Sequence, residues 1–270
     1  MTAPFPPGSV VFVGAGPGAP DLLTVRAVRA IEAADLLVYA DSLVHQDVAA
    51  LARPDAEVIG SSGLTLEQVT ARVVDAARAG RLVVRLQSGD PSVYGAMHEQ
   101  MVLLAQAGVP YSVIPGVSSA FAAAAVLGAE LTVPNVSQTV IMTRVPSRTT
   151  TVPGVEAVES LAAHGGTMVV FLSVGAIDRV VARLLEAGRA PETPAAVVYR
   201  VTWEDEQVIR GTLADIAAKS RAAHLTKQAL ILVGDAIDPN IIEHAAAERS
   251  HLYDPAYTHS FRVAARSAGS

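Results

Sequence analysis

The sequence predicts an α/β protein of two domains, the N-terminal one on a mainly parallel sheet and the C-terminal one on a mixed sheet, for three reasons. Strand-length apolar runs alternate with helix-period stripes through the first half of the chain, the pattern of βαβ units. In the second half two strand-like runs, Ala195 to Val201 and Glu206 to Thr212, follow each other without a helix between them, so a hairpin enters the sheet. Finally, 51% of the 270 residues are apolar and 4% aromatic, which fills one large or two modest cores rich in Ala, Val and Leu.

The elements follow in order. Val10 to Gly14 is a buried strand that runs into glycines at Gly14, Gly16 and Gly18. Leu22, Val25, Val28 and Ile31 then recur at helical spacing, and Leu36 to Ala40 is a second buried strand, completing one βαβ unit. Thr65 is the expected N-cap of the next helix, with Gln68 closing a capping box, an apolar stripe through Leu66, Val69 and Val73, and Gly80 as the stop. Arg81 to Leu86 reads as a strand, Ala96 to Ala107 as a helix and Val109 to Ile114 as a further strand. A small-residue helix, Ser118 to Ala129, leads to a boundary placed at 131/132. Beyond it, strands are expected at 137–143, 167–173, 195–201, 206–212 and 228–234, with helices at Val155 to His164, Ala176 to Ala187 and Leu213 to Ala222. The domains are therefore 1–131 and 132–238, and 239–270 is a polar, broken extension.

Composition removes several function classes. Cysteine is absent, so disulfides and thiolate chemistry are excluded, and the seven histidines are scattered without an HExxH pair, so no bound metal is expected. A net charge of −6 without a Lys/Arg block argues against nucleic acid. Apolar stretches are interrupted before reaching membrane-spanning length, and "MTAPFPPGS" lacks the features of a signal peptide, so a cytoplasmic protein with no membrane partner is expected.

The loop "VGAGPGAPDLLT" raises the question of a bound phosphate. A dinucleotide fingerprint wants G-x-G-x-x-G opening a helix, whereas here Pro17 removes an N–H donor and fixes φ inside the turn that would hold a pyrophosphate. No Lys-Ser/Thr follows the glycines either, as a P-loop requires. Alone, this loop reads as a structural turn as readily as a functional one. Two more turns share its position after strands, "SGDPSVYG" at Ser88 to Gly95 and "PGVSS" at Pro115 to Ser119. Three such strand ends define one sheet edge, where open α/β sheets bind ligands, and suit a ligand held mainly by backbone hydrogen bonds.

Taken with "YADSLV", "SGDPSVYGAMHEQM", "PGVSSAFAAAA", "ELTVPNVSQTVIMTR", "FLSVG" and "VVYRVTWEDEQVIRGTL", the loop resembles the tetrapyrrole (corrin/porphyrin) methylases, in order across residues 9 to 237. The resemblance implies two α/β domains with the donor S-adenosyl-L-methionine in the cleft between them, S-adenosyl-L-homocysteine as product, a tetrapyrrole substrate and a homodimer. Within the family, "YADSLV", "VYGAMHEQM" and "LTVPNVSQTVIMTR" are most similar to the branch that methylates C11 of precorrin-4 in cobalamin biosynthesis. Carried over by motif, Pro17 lies by the donor, Ser88, Gly89 and Asp90 line it with Val93, and Ser118 and Ser119 hydrogen-bond it. Leu172 takes an adenosine-side position, while Val201 and Ala229 approach the adenine. Tyr94 is placed with them, against donor or macrocycle, with a core role equally open. The residues themselves single out the first-domain turns and give no reason to select Leu172, Val201 or Ala229.

The implied chemistry asks little of side chains. A sulfonium methyl is already activated, so the enzyme aligns a carbon of the macrocycle behind it and excludes water. Asp41, at the end of the second strand, is the candidate base, with a turn-capping role as the equal alternative. Related uroporphyrinogen methylases carry the acid directly after the strand tyrosine and a lysine in the next loop. Here Ala40 separates Tyr39 from Asp41 and "GSSGL" has no lysine, so those roles are not transferred. The many carboxylates of the substrate ask for cations, and Arg144 and Arg148 are placed ahead of Arg85 and Arg200. His45, His98 and Trp203 lie near the motifs, and Met97 and Met101 read as core or dimer packing. Four other readings stay open: methylation at another macrocycle carbon or of uroporphyrinogen III, a cobalt-containing substrate, a nucleotide-dependent oxidoreductase with Asp41 on the ribose, and a noncatalytic adenosine-ligand sensor.

Overall fold

The computed structural model describes residues 5–146, 151–244 and 256–264. Its contacts divide the chain into two units, Met1–Ala123 with Tyr199–Gln207, and Ala124–Val198 with Val208–Ser270.

The first unit contains strands β1 (Val10–Gly14), β2 (Leu36–Tyr39), β3 (Glu57–Gly60), β4 (Val83–Gln87) and β5 (Tyr111–Ile114). They form a parallel sheet in the order β3-β2-β4-β1-β5. All of β1 is buried because its side chains alternate between two cores. Val11 and Val13 join Ala27, Ala30 and Ile31 of α1 (Val25–Ala33) and Val48 of α2 (Gln46–Ala49). Val10 and Phe12 face the other way, toward Val69 and Val73 of α3 (Leu66–Arg78) and Leu104 of α4 (Met97–Gln106). The capping box at the start of α3 is present, with Gln68 N donating to Thr65 Oγ1 at 3.3 Å and Thr65 N to Gln68 Oε1 at 2.9 Å.

Two elements escape the periodicity. β3 is a four-residue edge strand whose Glu57 and Val58 are both exposed, so it carries no alternation, and α2 is only one turn long.

The second unit has β6 (Val140–Arg144), β7 (Thr167–Phe171), β8 (Pro194–Tyr199), β9 (Gln207–Thr212) and β10 (Ala229–Val233), in the order β6-β7-β10-β8-β9. β6 runs parallel to β7 and β10 antiparallel to it, so the sheet is mixed. Helices α6 (Val158–Ala162), α7 (Ile177–Glu186) and α8 (Ile216–Ala222) accompany it, α6 being shorter than expected. Divided by contacts, the chain separates inside α5 (Ser119–Leu127), whose Ala120, Ala122, Ala123, Ala124 and Leu127 are buried while Phe121 is exposed. Of the extension expected at 239–270, the structure describes α9 (Ile241–His244) and residues 256–264. Among the described residues no helix is long and apolar enough to cross a membrane.

Candidate functional site

At the carboxyl edge of the first sheet the three turns interlock through their glycines. Gly16 and Gly89 form an antiparallel bridge, with Gly16 N donating to Gly89 O at 3.2 Å and Gly89 N to Gly16 O at 2.8 Å. A Cβ on Gly116 would overlap Gly89 O and come within 2.8 Å of Gly14 Cα, so no side chain fits there. Asp90 staples the turns together. Its Oδ2 accepts from Gly116 N at 2.9 Å, and its Oδ1 accepts from Ser92 N at 2.8 Å and from the Ser92 hydroxyl. Burial pushes the Asp90 carboxyl up, but the hydrogen bonds from Ser92 and Gly116 outweigh it and hold the group below its ordinary value.

The amides of the first loop are largely spoken for. Ala15 N donates to Gln87 O at 2.8 Å and Gly16 N to Gly89 O, Pro17 has no donor, and Ala19 N donates to Thr202 Oγ1 at 3.0 Å. A pyrophosphate needs such amides turned outward, so the geometry opposes a dinucleotide cradle. Instead the loop serves as a wall, buttressed by the 199–207 segment of the same unit. Trp203 Nε1 donates to Pro17 O at 3.0 Å, and its ring lies so close to Gly18 that a Cβ there would overlap it.

An open cavity of about 380 Å³ adjoins this buttress, lined by Tyr39, Asp41, His45, Arg200, Trp203 and Asp205 among others. His45 meets Trp203 edge to face at 4.7 Å and caps α2, its Nδ1 accepting from Asp47 N at 3.2 Å. Asp41 is on the wall but engaged: its carboxylate accepts from Ser62 Oγ at 2.6 Å and Ser62 N at 2.7 Å. Those bonds, the hydroxyl's first, hold its pKa below the ordinary value. The partner is a loop beyond β3, not the turn before Val44.

In the second unit one end of the sheet brings other expected residues together. Arg144 pairs in register with Phe171, next to Leu172, and β10, which begins at Ala229, pairs with β7 through Ile231 and Val170. Ser173 fixes this corner, its Oγ accepting from Val145 N at 3.1 Å and donating to Phe171 O at 2.6 Å.

A signal absent from the sequence now appears. Tyr94, Leu172, Arg200, Thr202 and Gln228 hold left-handed backbone at φ of 54°, 52°, 42°, 68° and 54° without being glycine. These five include or flank Tyr94, Leu172, Val201 and Ala229, and such strain concentrates at binding sites, while Ala96, Asn135 and His224 also hold it among the described residues. Leu172 also leaves 56% of its surface exposed, unusual for leucine in a built corner.

The remaining expected residues divide. Ser88, Val93 and Ser119 are half-buried at the turns, Ser118 is buried with its Oγ accepting from Ala120 N at 3.4 Å, and Val201 is buried. Arg85 is corrected: it is sealed in the core, donating to Gln100 Oε1, Val38 O and Leu86 O, and burial lowers it to about 10. Arg148 lies outside the described residues. His98 is exposed, and Met97 and Met101 pack against a core cluster.

Comparison with known proteins identifies relatives of the chain. A family model described as Tetrapyrrole (Corrin/Porphyrin) Methylases matches residues 9–217. The chain is 46% identical to a cobalt-precorrin-4 C(11)-methyltransferase of Priestia megaterium, over 95% of this chain and 98% of that one. It is 45% identical to a precorrin-4 C(11)-methyltransferase of Mycobacterium tuberculosis, over 85% and 91%. Among solved structures, a cobalt precorrin-4 methyltransferase from cobalamin biosynthesis superposes with TM-score 0.83 at 45% identity, covering 86% of this chain and 97% of that one. A uroporphyrin-III C-methyl transferase of Thermus thermophilus complexed with S-adenyl homocysteine superposes with TM-score 0.72 at 30% identity, covering 85% and 93%.

Proposed function

Because this chain belongs to the tetrapyrrole methylase family, we propose that it transfers a methyl group from S-adenosyl-L-methionine to C11 of precorrin-4, or of its cobalt-containing form, in cobalamin biosynthesis. The observation that carries this reading is 46% identity spanning 95% of the chain with a relative that bears that activity in its name.

The turns fit the donor. Glycines at Gly14 and Gly116 keep Cβ atoms out of the interlocked edge, Gly89 supplies its left-handed backbone, and Ser88, Asp90 and Ser119 stand there as polar groups. The donor supplies an already activated methyl when bound. What this chain's residues supply is position: Asp90 holds the second and third turns together, and Pro17 and Gly18 are fixed against Trp203. Ser118, Val93, Tyr94 and Val201 are carried as donor residues on the same reading, as are Leu172 and Ala229. Arg144 is carried as a cation for a substrate carboxylate. Asp41, tethered to Ser62, acts on the pocket wall as fixed negative charge better than as a base.

The same reading includes a homodimer acting in the cytoplasm. The exposed edge strand β5, with Tyr111 and Val113 in the open, and Phe121 at 56% exposure offer apolar surface for it. Sedimentation of the purified protein tests this, and a monomer at micromolar concentration refutes it.

The function is tested by anaerobic incubation with isotope-labelled S-adenosyl-L-methionine and, separately, precorrin-4 and cobalt-precorrin-4. A product one methyl heavier, with the label at C11 by NMR, is expected. Labelling at another carbon overturns the C11 assignment.

A further inference from the structure

We propose that Arg200 is a specificity-determining residue whose guanidinium receives one carboxylate of the macrocycle in the pocket beside the glycine loop, and that Asp205 holds it in place until then. The inference rests on the substrate being a carboxylate-bearing tetrapyrrole.

Arg200 is built as a fixed cation. Its backbone is left-handed at φ 42°, and Thr202, two residues on, is also left-handed, so the tip of the 199–207 segment is bent against its preference. The guanidinium lies 4.7 Å over the Trp203 ring and 5.5 Å from the Tyr199 ring. Trp203 is itself held by its bond to Pro17 O and by the edge-to-face contact with His45. A guanidinium stacked on an anchored indole keeps its planar fork of donors aimed in one direction, the arrangement that recognises carboxylates.

A carboxylate already sits on that fork. Arg200 Nη1 donates to Asp205 Oδ2 at 2.7 Å, in a pair whose side chains remain 29% and 50% exposed. Exposed pairs of this kind contribute little to stability, so Asp205 can be displaced by a second carboxylate at small cost. Among the residues that line the pocket, Arg200 is the one arginine or lysine. The acids facing it are Asp41, engaged by Ser62, and Glu204 and Asp205. With Asp205 in place the guanidinium fork is occupied, and its release frees the fork for a carboxylate held by direct hydrogen bonds in spite of Asp41 and Glu204.

Steady-state kinetics with the macrocycle as varied substrate, at saturating donor, tests this on wild type, Arg200→Gln, Arg200→Lys and Asp205→Asn. Each variant is also melted and titrated with S-adenosyl-L-homocysteine. Arg200→Gln is expected to raise KM for the macrocycle at least tenfold, leaving kcat within about threefold and homocysteine-compound affinity within about twofold. Arg200→Lys recovers part of the loss, and Asp205→Asn lowers KM by removing the competitor. Added salt raises the wild-type KM more than that of Arg200→Gln. An unchanged KM in Arg200→Gln, or Asp205→Asn raising KM as much as Arg200→Gln does, overturns the proposal and makes the pair structural. If wild type binds the homocysteine compound yet methylates neither macrocycle, the reading of the substrate is what fails. Fluorescence titration with a porphyrin octacarboxylate then decides Arg200 directly: equal affinity for wild type and Arg200→Gln overturns it.

Discussion

Gly16 and Gly89 in the first unit hold φ of 70° and 64°, while Leu172, Arg200, Thr202 and Gln228 hold 52°, 42°, 68° and 54° with full side chains. The backbone geometry is nearly the same. At glycine it carries no steric penalty, and at Gly14 and Gly116 the missing Cβ lets the turns stack backbone on backbone. At Leu172 or Arg200 it costs about 1–2 kcal/mol, a cost that persists where the side chain itself is needed. One set of turns is shaped for close approach and the other for presenting a side chain.

Gly116→Ala should break the first set outright. Its Cβ has only backbone to move, so we expect a loss of about 3 kcal/mol by urea unfolding, with donor binding abolished; a variant with wild-type stability would show that the turns do not interlock.

Asp90→Asn comes next, with about 1.5 kcal/mol lost at neutral pH after allowing for partial exposure. Because the folded carboxyl titrates below its unfolded value, its stabilisation is present above about pH 4 and fades as pH falls through the folded value. The gap between wild type and variant should therefore narrow from pH 7 to about pH 3, and a constant gap would mean that the charge is not what holds the turns.

Trp203→Phe keeps most of the ring and removes the bond to Pro17 O, costing about 1 kcal/mol. Leu172→Gly sharpens the contrast most, though it is the smallest effect. Releasing the left-handed strain against glycine's extra unfolded freedom should raise stability by about 0.5 kcal/mol while weakening S-adenosyl-L-homocysteine binding; lower stability would mean that Leu172 is an ordinary packing residue.

The same contrast explains what the sequence could reveal. β1, the capping box at Thr65 and the hairpin formed by β8 and β9 were legible because period, caps and breakers are local chemistry. The three first-unit turns were legible because glycine marks both a left-handed residue, as at Gly16 and Gly89, and a close approach, as at Gly14 and Gly116. Leu172, Val201 and Ala229 came only through family resemblance, since no local rule marks a leucine or glutamine as left-handed. The tether of Asp41 to Ser62 and the sealing of Arg85 against Gln100 depend on chain segments brought together by the sheet order, which single residues do not announce. Arg200 was ranked low for the same reason: its value comes from Trp203 beneath it and Asp205 beside it.

The central claim is that the interlocked glycine turns serve a methyl donor and not a dinucleotide. Calorimetric titration of the purified protein with S-adenosyl-L-homocysteine, and in a separate cell with NADH, tests it most directly. Saturable binding of the homocysteine compound, weakened in Asp90→Asn, and no heat from NADH are expected; saturable NADH binding with none of the homocysteine compound would contradict a methyl-donor role.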